Sequence, residues 1–345
     1  MSGLPTTMRA WTTDRYGGPE VVRLSSHPVP GLQPGSVLVR VAAASVARGD
    51  LHLLTGRPWP VRLAGYGLLR PRQPVVGRSL AGEVVAAAAD VTDVASGDLV
   101  FAEIEGGAFA DYALVPANRV APAPKGLSLA EAAALPEAGS TSLHAFSGPI
   151  ALIPGERVII LGASGGVGTV AVQIAKAMGA EVTAVARVRH HPLLQRLRAD
   201  RVIEPTDAAL HTAPAAGEGN ADCLLDLVGD RPLASLRALV RPTGTVVVAT
   251  GGALGARLSP MVRLGAAALS GRHTKPPMRV LVSNVTRADL IQIAALVAEG
   301  RLAPVIERRW SLSEGQAALA HVYSGHAQGK SVIVIDPDLA ERRPG

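Results

Sequence analysis

Cysteine, aromatic side chains and long apolar runs are what this chain has least of, and each scarcity removes a class of explanation. Cys223 is the single cysteine among 345 residues, so no intramolecular disulfide can form. Its place in the apolar run Asp222 to Val228 makes it a packing residue. Aromatics are 3% of the residues, too few for a base-stacking platform, and the arginines are scattered. A net charge of +6 and a pI near 10 therefore argue weakly for nucleic acid and leave room for a phosphate-rich small ligand. No apolar run approaches the ~20 residues of a membrane-crossing helix, and the opening MSGLPTTMRAW has no apolar signal region. A soluble, cytoplasmic protein without a membrane partner is expected. With 48% hydrophobic residues the chain is long enough for two domains, each with its own core.

What is abundant is glycine, and its placement in one stretch organises the rest. In GERVIILGASGGVGTVAVQIAKAMGAEVTAVARVR, from Gly155 to Arg189, Val158 to Leu161 is a continuous apolar run, the pattern of a parallel strand covered on both faces. Gly162, Gly165, Gly166 and Gly168, with Ser164 and Val167 between them, then form a turn whose backbone N–H groups can approach a ligand closely. Val167, Val170, Ala171, Ile174, Ala175 and Met178 give one face of a helix, with Gln173 and Lys176 on the other and Gly179 as the stop. The helix N-terminus directs its partial positive charge at the turn, where a pyrophosphate would sit. Such a turn can also be no more than a tight connection. The strand before it, the helix after it and a second strand from Val182 to Ala186 favour a dinucleotide site.

The end of that second strand selects the cofactor. Chains that take NAD place a carboxylate there for the ribose 2′-hydroxyl. This chain has Arg187, followed by Arg189. A guanidinium holds a 2′-phosphate with charge-assisted bonds of about 1.5–3 kcal/mol, so NADPH is expected. The alternative is that both arginines are solvated loop charges.

Short β elements dominate residues 1–126: Met8 to Trp11, Val21 to Leu24, Val37 to Ala42, Gly82 to Ala88, Leu99 to Glu103 and Phe109 to Val115. Ser45 to Gly56 reads as a loop or single helical turn, and Arg57 to Pro74 as a long surface loop. From Ser128, which forms a capping box with Glu131, strands alternate with helices. Arg201 to Ile203, Cys223 to Val228 and Thr245 to Ala249 read as further parallel strands. Thr286 and Asp289 cap a later helix, Ser313 and Gln316 start another, and Ser331 to Asp336 is a last strand before a charged, frayed tail.

Several segments together give the chain a resemblance. YGGPEVVRL, GRSLAGEVV from Gly77, GGAFADYALVP from Gly106, LSLAEAAALPEAGSTSLHAF from Leu127, the glycine turn, DCLLDLVG from Asp222 and GKSVIVI near the end resemble zinc-independent medium-chain dehydrogenases/reductases of the quinone oxidoreductase group. The resemblance implies an α/β fold, a Rossmann doubly wound parallel sheet inserted in a GroES-like β-rich catalytic domain. Its expected boundaries are 1–126 for the first part of the catalytic domain, 127–301 for the nucleotide domain, 302–338 for the return and 339–345 for the tail. It further implies a small-molecule substrate, a homodimer and hydride transfer from NADPH to a quinone or an α,β-unsaturated carbonyl. No zinc is expected, because one cysteine supplies neither a catalytic nor a structural zinc cluster.

For site residues, the resemblance places Thr141 beside the nicotinamide, although a locally satisfied helix hydroxyl is the alternative. Gly229, Thr250 and Gly251 fall where the resemblance implies the lining of the nicotinamide pocket, a reading that their strand-end positions support, and Lys330 either helps close the cleft or is a surface lysine. Tyr66, His52 and His144 are candidate proton donors, each with a structural alternative, and Asp50 reads as an acceptor for loop N–H groups. The chain departs from its relatives at Ala47-Arg48-Gly49-Asp50, where Asn then Pro are common before the Asp, and at Ser79, where an Asp is frequent. A redox-silent homologue that binds nucleotide, or one dedicated to a single specialised metabolite or partner, is the competing reading.

Overall fold

The structure is a computed structural model that describes residues 4–59, 61–147, 151–212, 221–249, 259–270, 274–325 and 327–345. Backbone contacts divide the chain into two compact units. Unit 1 is Met1–Glu137, Val285–Gly300 and Pro304–Gly345; unit 2 is Ala138–Asn284 with Arg301–Ala303.

In unit 1, β1 (Thr7–Thr12) and β2 (Arg23–Pro28) form an antiparallel pair. The apolar run of β3 (Ser36–Val46) is buried along nearly its whole length. Where the sequence suggested a loop or a single helical turn, the eight-residue α1 (Arg48–Thr55) follows, its start fixed by the Asp50 carboxylate accepting the Ala47 N–H at 2.7 Å. Then come β4 (Ser79–Ala87), β5 (Leu99–Glu103), β6 (Tyr112–Pro116), β7 (Val120–Pro122) and the short α2 (Leu129–Ala132). The capping box that opens α2 forms as read: Ser128 N–H donates to Glu131 Oε2 at 2.7 Å, and Glu131 N–H to Ser128 Oγ at 3.3 Å.

The chain passes into unit 2 within α3 (Pro136–Ala145). There β8 (Arg157–Leu161), α4 (Gly168–Ala177), β9 (Glu181–Val185), α5 (His191–Arg196), β10 (Arg201–Ile203), α6 (Asp207–Thr212), β11 (Ala221–Asp226), α7 (Leu233–Ala238), β12 (Val240–Val248), α8 (Ser259–Ser270) and β13 (Met278–Val280) alternate. Among the described residues the six strands are all parallel, in the order β10-β9-β8-β11-β12-β13. Numbered within the sheet that is 3-2-1-4-5-6, the doubly wound dinucleotide-binding order, whose direction reverses between β8 and β11. Three-residue β13 is too short to show a period and pairs with β12.

The return to unit 1 supplies α9 (Arg287–Ala298), β14 (Ile306–Ser311), α10 (Gly315–Tyr323), β15 (Lys330–Val334) and α11 (Pro337–Ala340). β15 pairs antiparallel with β3, giving the sheet order β14-β15-β3-β4-β5-β7 with β6 also on β3. Helix α9 carries the Thr286–Asp289 capping box as read, yet it groups with unit 1 although the sequence assigned it to the 127–301 segment. Helix α10 starts later than read, because Ser311 and Glu314 cap a preceding turn over Leu312–Glu314. The charged end is not frayed over its first residues. Asp336 caps α11 by accepting Leu339 N–H at 3.1 Å, Leu339 and Ala340 are buried, and the Arg342 carbonyl accepts Leu129 N–H at 3.0 Å.

Candidate active site

The glycine turn of unit 2 sits at the reversal point of its sheet. Gly162 leaves β8 at φ +78°, a conformation that suits glycine, and its Cα lies close to the chain leaving β11: a Cβ there would come within 2.9 Å of Val228 Cγ2. Gly168, the first residue of α4, is packed so that a Cβ would meet the Gly162 carbonyl oxygen at 2.2 Å and the Ala163 carbonyl carbon at 2.7 Å. Backbone and not side chain fills that space, which brings the helix N-terminus down onto the turn. Ser164, Gly165, Gly166 and Val167 between them are partly exposed. Across the reversal point Gly229, at φ +79°, donates its N–H to Asp226 Oδ1 at 2.9 Å, and Val228 N–H donates to the same oxygen at 3.0 Å. Arg263 of α7's successor α8 pairs with the other Asp226 oxygen at 2.5 Å. Thr141 is half-buried on α3. Thr250 and Gly251 lie outside the described residues.

At the end of β9 the two arginines differ. Arg187 is exposed; its carbonyl accepts the His190 N–H at 2.9 Å, and its guanidinium has no hydrogen-bond or ion-pair partner among the described residues. Arg189 donates from Nε to His190 Nε2 at 3.0 Å. The arrangement fits a dinucleotide: a backbone cradle at the reversal point, a helix N-terminus above it, and an uncommitted guanidinium one strand away.

Unit 1 holds a separate pocket, whose lining includes Asp50, Leu53, Leu54, Tyr66, Val75 and Arg78. Tyr66 ends the turn Arg62–Tyr66, and its carbonyl is held by Arg72 N–H at 2.8 Å and Tyr16 Oη at 3.1 Å. His52 is not in this lining; its Nδ1 donates to the Arg57 carbonyl at 2.8 Å, and burial lowers its pKa, so it is neutral at pH 7. His144 belongs to unit 2, with Nδ1 3.2 Å from Ser283 Oγ. Lys330 is 3% exposed, and its Nζ donates to Glu137 Oε2 at 3.2 Å, both in unit 1.

Sequence reasoning missed the charged neighbours of Asp50. Arg78 forms a close ion pair with Glu103, and Glu103, Asp50 and Lys330 are all buried. Burial pushes both the Asp50 and Glu103 carboxyls up to about 7, against the pull of the Arg78 charge. The Arg78 pKa is raised, burial being outweighed by the charges of Glu103, Glu137 and Asp50. Positions 50, 78, 103, 137 and 330 share no local motif, so nothing short of the fold brings them together. Among the described residues no group of three or more His, Cys, Asp or Glu side chains is arranged to hold a metal ion. Burial pushes the Cys223 thiol up to about 12, away from the thiolate that a metal requires.

Residues 33–125 match the family model described as alcohol dehydrogenase GroES-like domain, and residues 197–333 the one described as zinc-binding dehydrogenase. The chain is 31% identical over 360 residues to the mitochondrial NAD(P)H oxidoreductase RTN4IP1 of Mus musculus, across 96% of this chain and 90% of that protein. It is 31% identical over 342 residues to the chloroplastic quinone-oxidoreductase QR1 of Triphysaria versicolor, across 96% and 98%. The solved quinone oxidoreductase from Coxiella burnetii matches with a TM-score of 0.79 at 26% identity, across 95% of this chain and 99% of that one. The fold is that of an oxidoreductase superfamily. The chain belongs to the medium-chain dehydrogenases/reductases, in their quinone oxidoreductase-like group.

Proposed function

We propose that the chain is an NADPH-dependent oxidoreductase that reduces a quinone or an α,β-unsaturated carbonyl without zinc. The observation that carries the reading is the glycine cradle at Gly162 and Gly168, with the uncommitted Arg187 at the end of the neighbouring strand. Backbone N–H groups at the start of α4 would hold the diphosphate, Arg187 the 2′-phosphate, and Gly229 would let the strand end approach the nicotinamide. Thr141 is proposed beside it. When bound, the cofactor supplies a hydride equivalent. The apolar part of the unit 1 pocket, Leu53, Leu54 and Val75, suits the body of an activated carbonyl compound. Relatives named as NAD(P)H and quinone oxidoreductases support the acceptor class.

Oxidation of NADPH, followed spectroscopically against a quinone and a simple enone with NADH as control, tests the reading. Turnover with NADPH that survives metal chelation is expected. Tight cofactor binding with neither acceptor reduced would turn the assignment toward a nucleotide-binding homologue with a dedicated ligand.

A further inference from the structure

Five ionisable side chains meet inside unit 1 from separate elements: Asp50 on α1, Arg78 just before β4, Glu103 ending β5, Glu137 in the first turn of α3 and Lys330 starting β15. They form two matched pairs. Arg78 contacts Glu103, and Lys330 Nζ lies 3.2 Å from Glu137 Oε2. That leaves Asp50 as the carboxyl without an ion-pair partner among the described residues. It is 4% exposed; its Oδ2 accepts the Ala47 N–H at 2.7 Å, and its Oδ1 is buried with no hydrogen-bond partner. A buried carboxylate with one oxygen unsatisfied and no counter-cation in contact is strongly disfavoured against the neutral acid. The backbone is shaped around this group. A Cβ on Gly49 would come within 2.5 Å of Arg78 Nη1 and 3.3 Å of Glu137 Oε1, so glycine at 49 lets α1 seat Asp50 against the charged cluster. Asp50, unlike Glu103, Glu137 and Lys330, also lines the unit 1 pocket.

We propose that Asp50 is the acid of the acceptor pocket, giving its carboxyl proton to the substrate atom that becomes negative on reduction. The inference rests on the reductase reading above. Addition of hydride to the β-carbon of an enone leaves an enolate; addition to a quinone leaves a hydroquinone anion. The Asp50 O–H bond breaks, and a C–H bond at the α-carbon or an O–H bond on the hydroquinone forms. Asp50 is left as carboxylate and recovers its proton from solvent. The nicotinamide cofactor is oxidised by two electrons, the acceptor is reduced by two, and one proton is consumed. The other candidate donors are placed differently. His52 has Nδ1 committed to the Arg57 carbonyl, and neither it nor His144 is in the pocket lining. Tyr66 shares the lining and is the competitor to exclude. The charges facing Asp50 are Arg78, Glu137 and Lys330, with Glu103 behind Arg78 and with Arg48 and His52 on its own helix. The raised pKa, about 7, is consistent with a proton held and released near neutrality.

Asp50→Asn keeps an oxygen for the Ala47 N–H and removes the proton. Steady-state reduction of a quinone and an enone should lose about 100-fold in kcat, within the range for a general acid, with KM changed less than about threefold. Wild-type kcat should fall as pH rises through about 7, the D50N profile should be flat there, and Asp50→Glu should recover part of the rate with a titrating limb. Infrared difference spectra of the protein without cofactor should contain a protonated-carboxyl band that titrates near neutrality and is missing in D50N. If D50N retains the wild-type rate and pH profile, or if Tyr66→Phe alone removes the limb, the donor assignment is wrong while the reductase reading stands. If wild-type protein reduces no acceptor, the reductase reading fails and this one with it. Absence of the infrared band overturns the assignment independently of turnover.

Discussion

Gln173, on the helix that follows the glycine turn, closes a two-way amide pairing with Ala303, 130 residues away. Its Nε2 donates to the Ala303 carbonyl at 2.9 Å, and its Oε1 accepts the Ala303 N–H at 2.9 Å. The same Nε2 also reaches the Thr169 carbonyl at 2.9 Å. The helical period put Gln173 on the outer face with Lys176, yet it is 9% exposed. The pairing ties Arg301–Ala303 into unit 2 while the flanking segments belong to unit 1. Truncation to Ala would strand a backbone donor and acceptor. Q173A should therefore lose about 2–4 kcal/mol in urea unfolding, and a loss below about 0.5 kcal/mol would mean that water takes over the bonds.

Arg187 stands free at the end of β9, where a 2′-phosphate is proposed to bind. Arg187→Ala should raise the NADPH dissociation constant roughly tenfold or more by titration calorimetry and leave NADH within about twofold, as loss of one charge-assisted contact requires. Equal losses for both nucleotides would remove the phosphate role.

The raised carboxyl pKa values carry a stability signature. Asp50 and Glu103 titrate near 7 when folded and near 3.8 and 4.5 in their ordinary state. Between those values the native protein binds more protons than the unfolded chain, so stability falls as pH rises through the window. His52, its pKa lowered by burial, acts in the opposite sense and loses stability as pH drops below its ordinary 6.5. The difference between wild type and D50N isolates the Asp50 share. D50N should gain on wild type by roughly 2–4 kcal/mol between pH 4 and 8 in urea unfolding. A pH-independent difference would mean that Asp50 does not titrate in this range.

Asp226 is almost fully enclosed, with one oxygen holding the Val228 and Gly229 N–H groups and the other paired to Arg263. Removing the cation leaves a buried carboxylate, so Arg263→Ala should cost about 3–5 kcal/mol. The double variant with Asp226→Asn should recover much of that loss. Additive losses in the two variants would show that the pair is not coupled.

The elements legible in the sequence were those encoded within a few residues of themselves. The apolar run Val158 to Leu161, the glycine turn and the Ser128–Glu131 and Thr286–Asp289 boxes are local patterns, and the structure forms each. Strand β13 and the packed end at α11 were not legible, because each takes its stability from a distant partner, β12 or the α2 region. Ser79 is a similar case. It pairs directly across from Glu103 in the β4–β5 ladder, so the departure that looked puzzling in the chain keeps a further carboxylate away from a buried acid.

By itself the sequence determined the parallel strands, the glycine turn and the arginine that follows its second strand, since period, glycine spacing and strand-end position are properties of contiguous residues. Which buried charges neutralise one another was decided only by the tertiary structure. Arg78 meets Glu103 because β4 pairs with β5, Lys330 at the start of β15 meets Glu137 on α3, and Asp50 is left over by that geometry. Desolvation and charge compensation depend on neighbours in space, which no stretch of sequence around residue 50 contains.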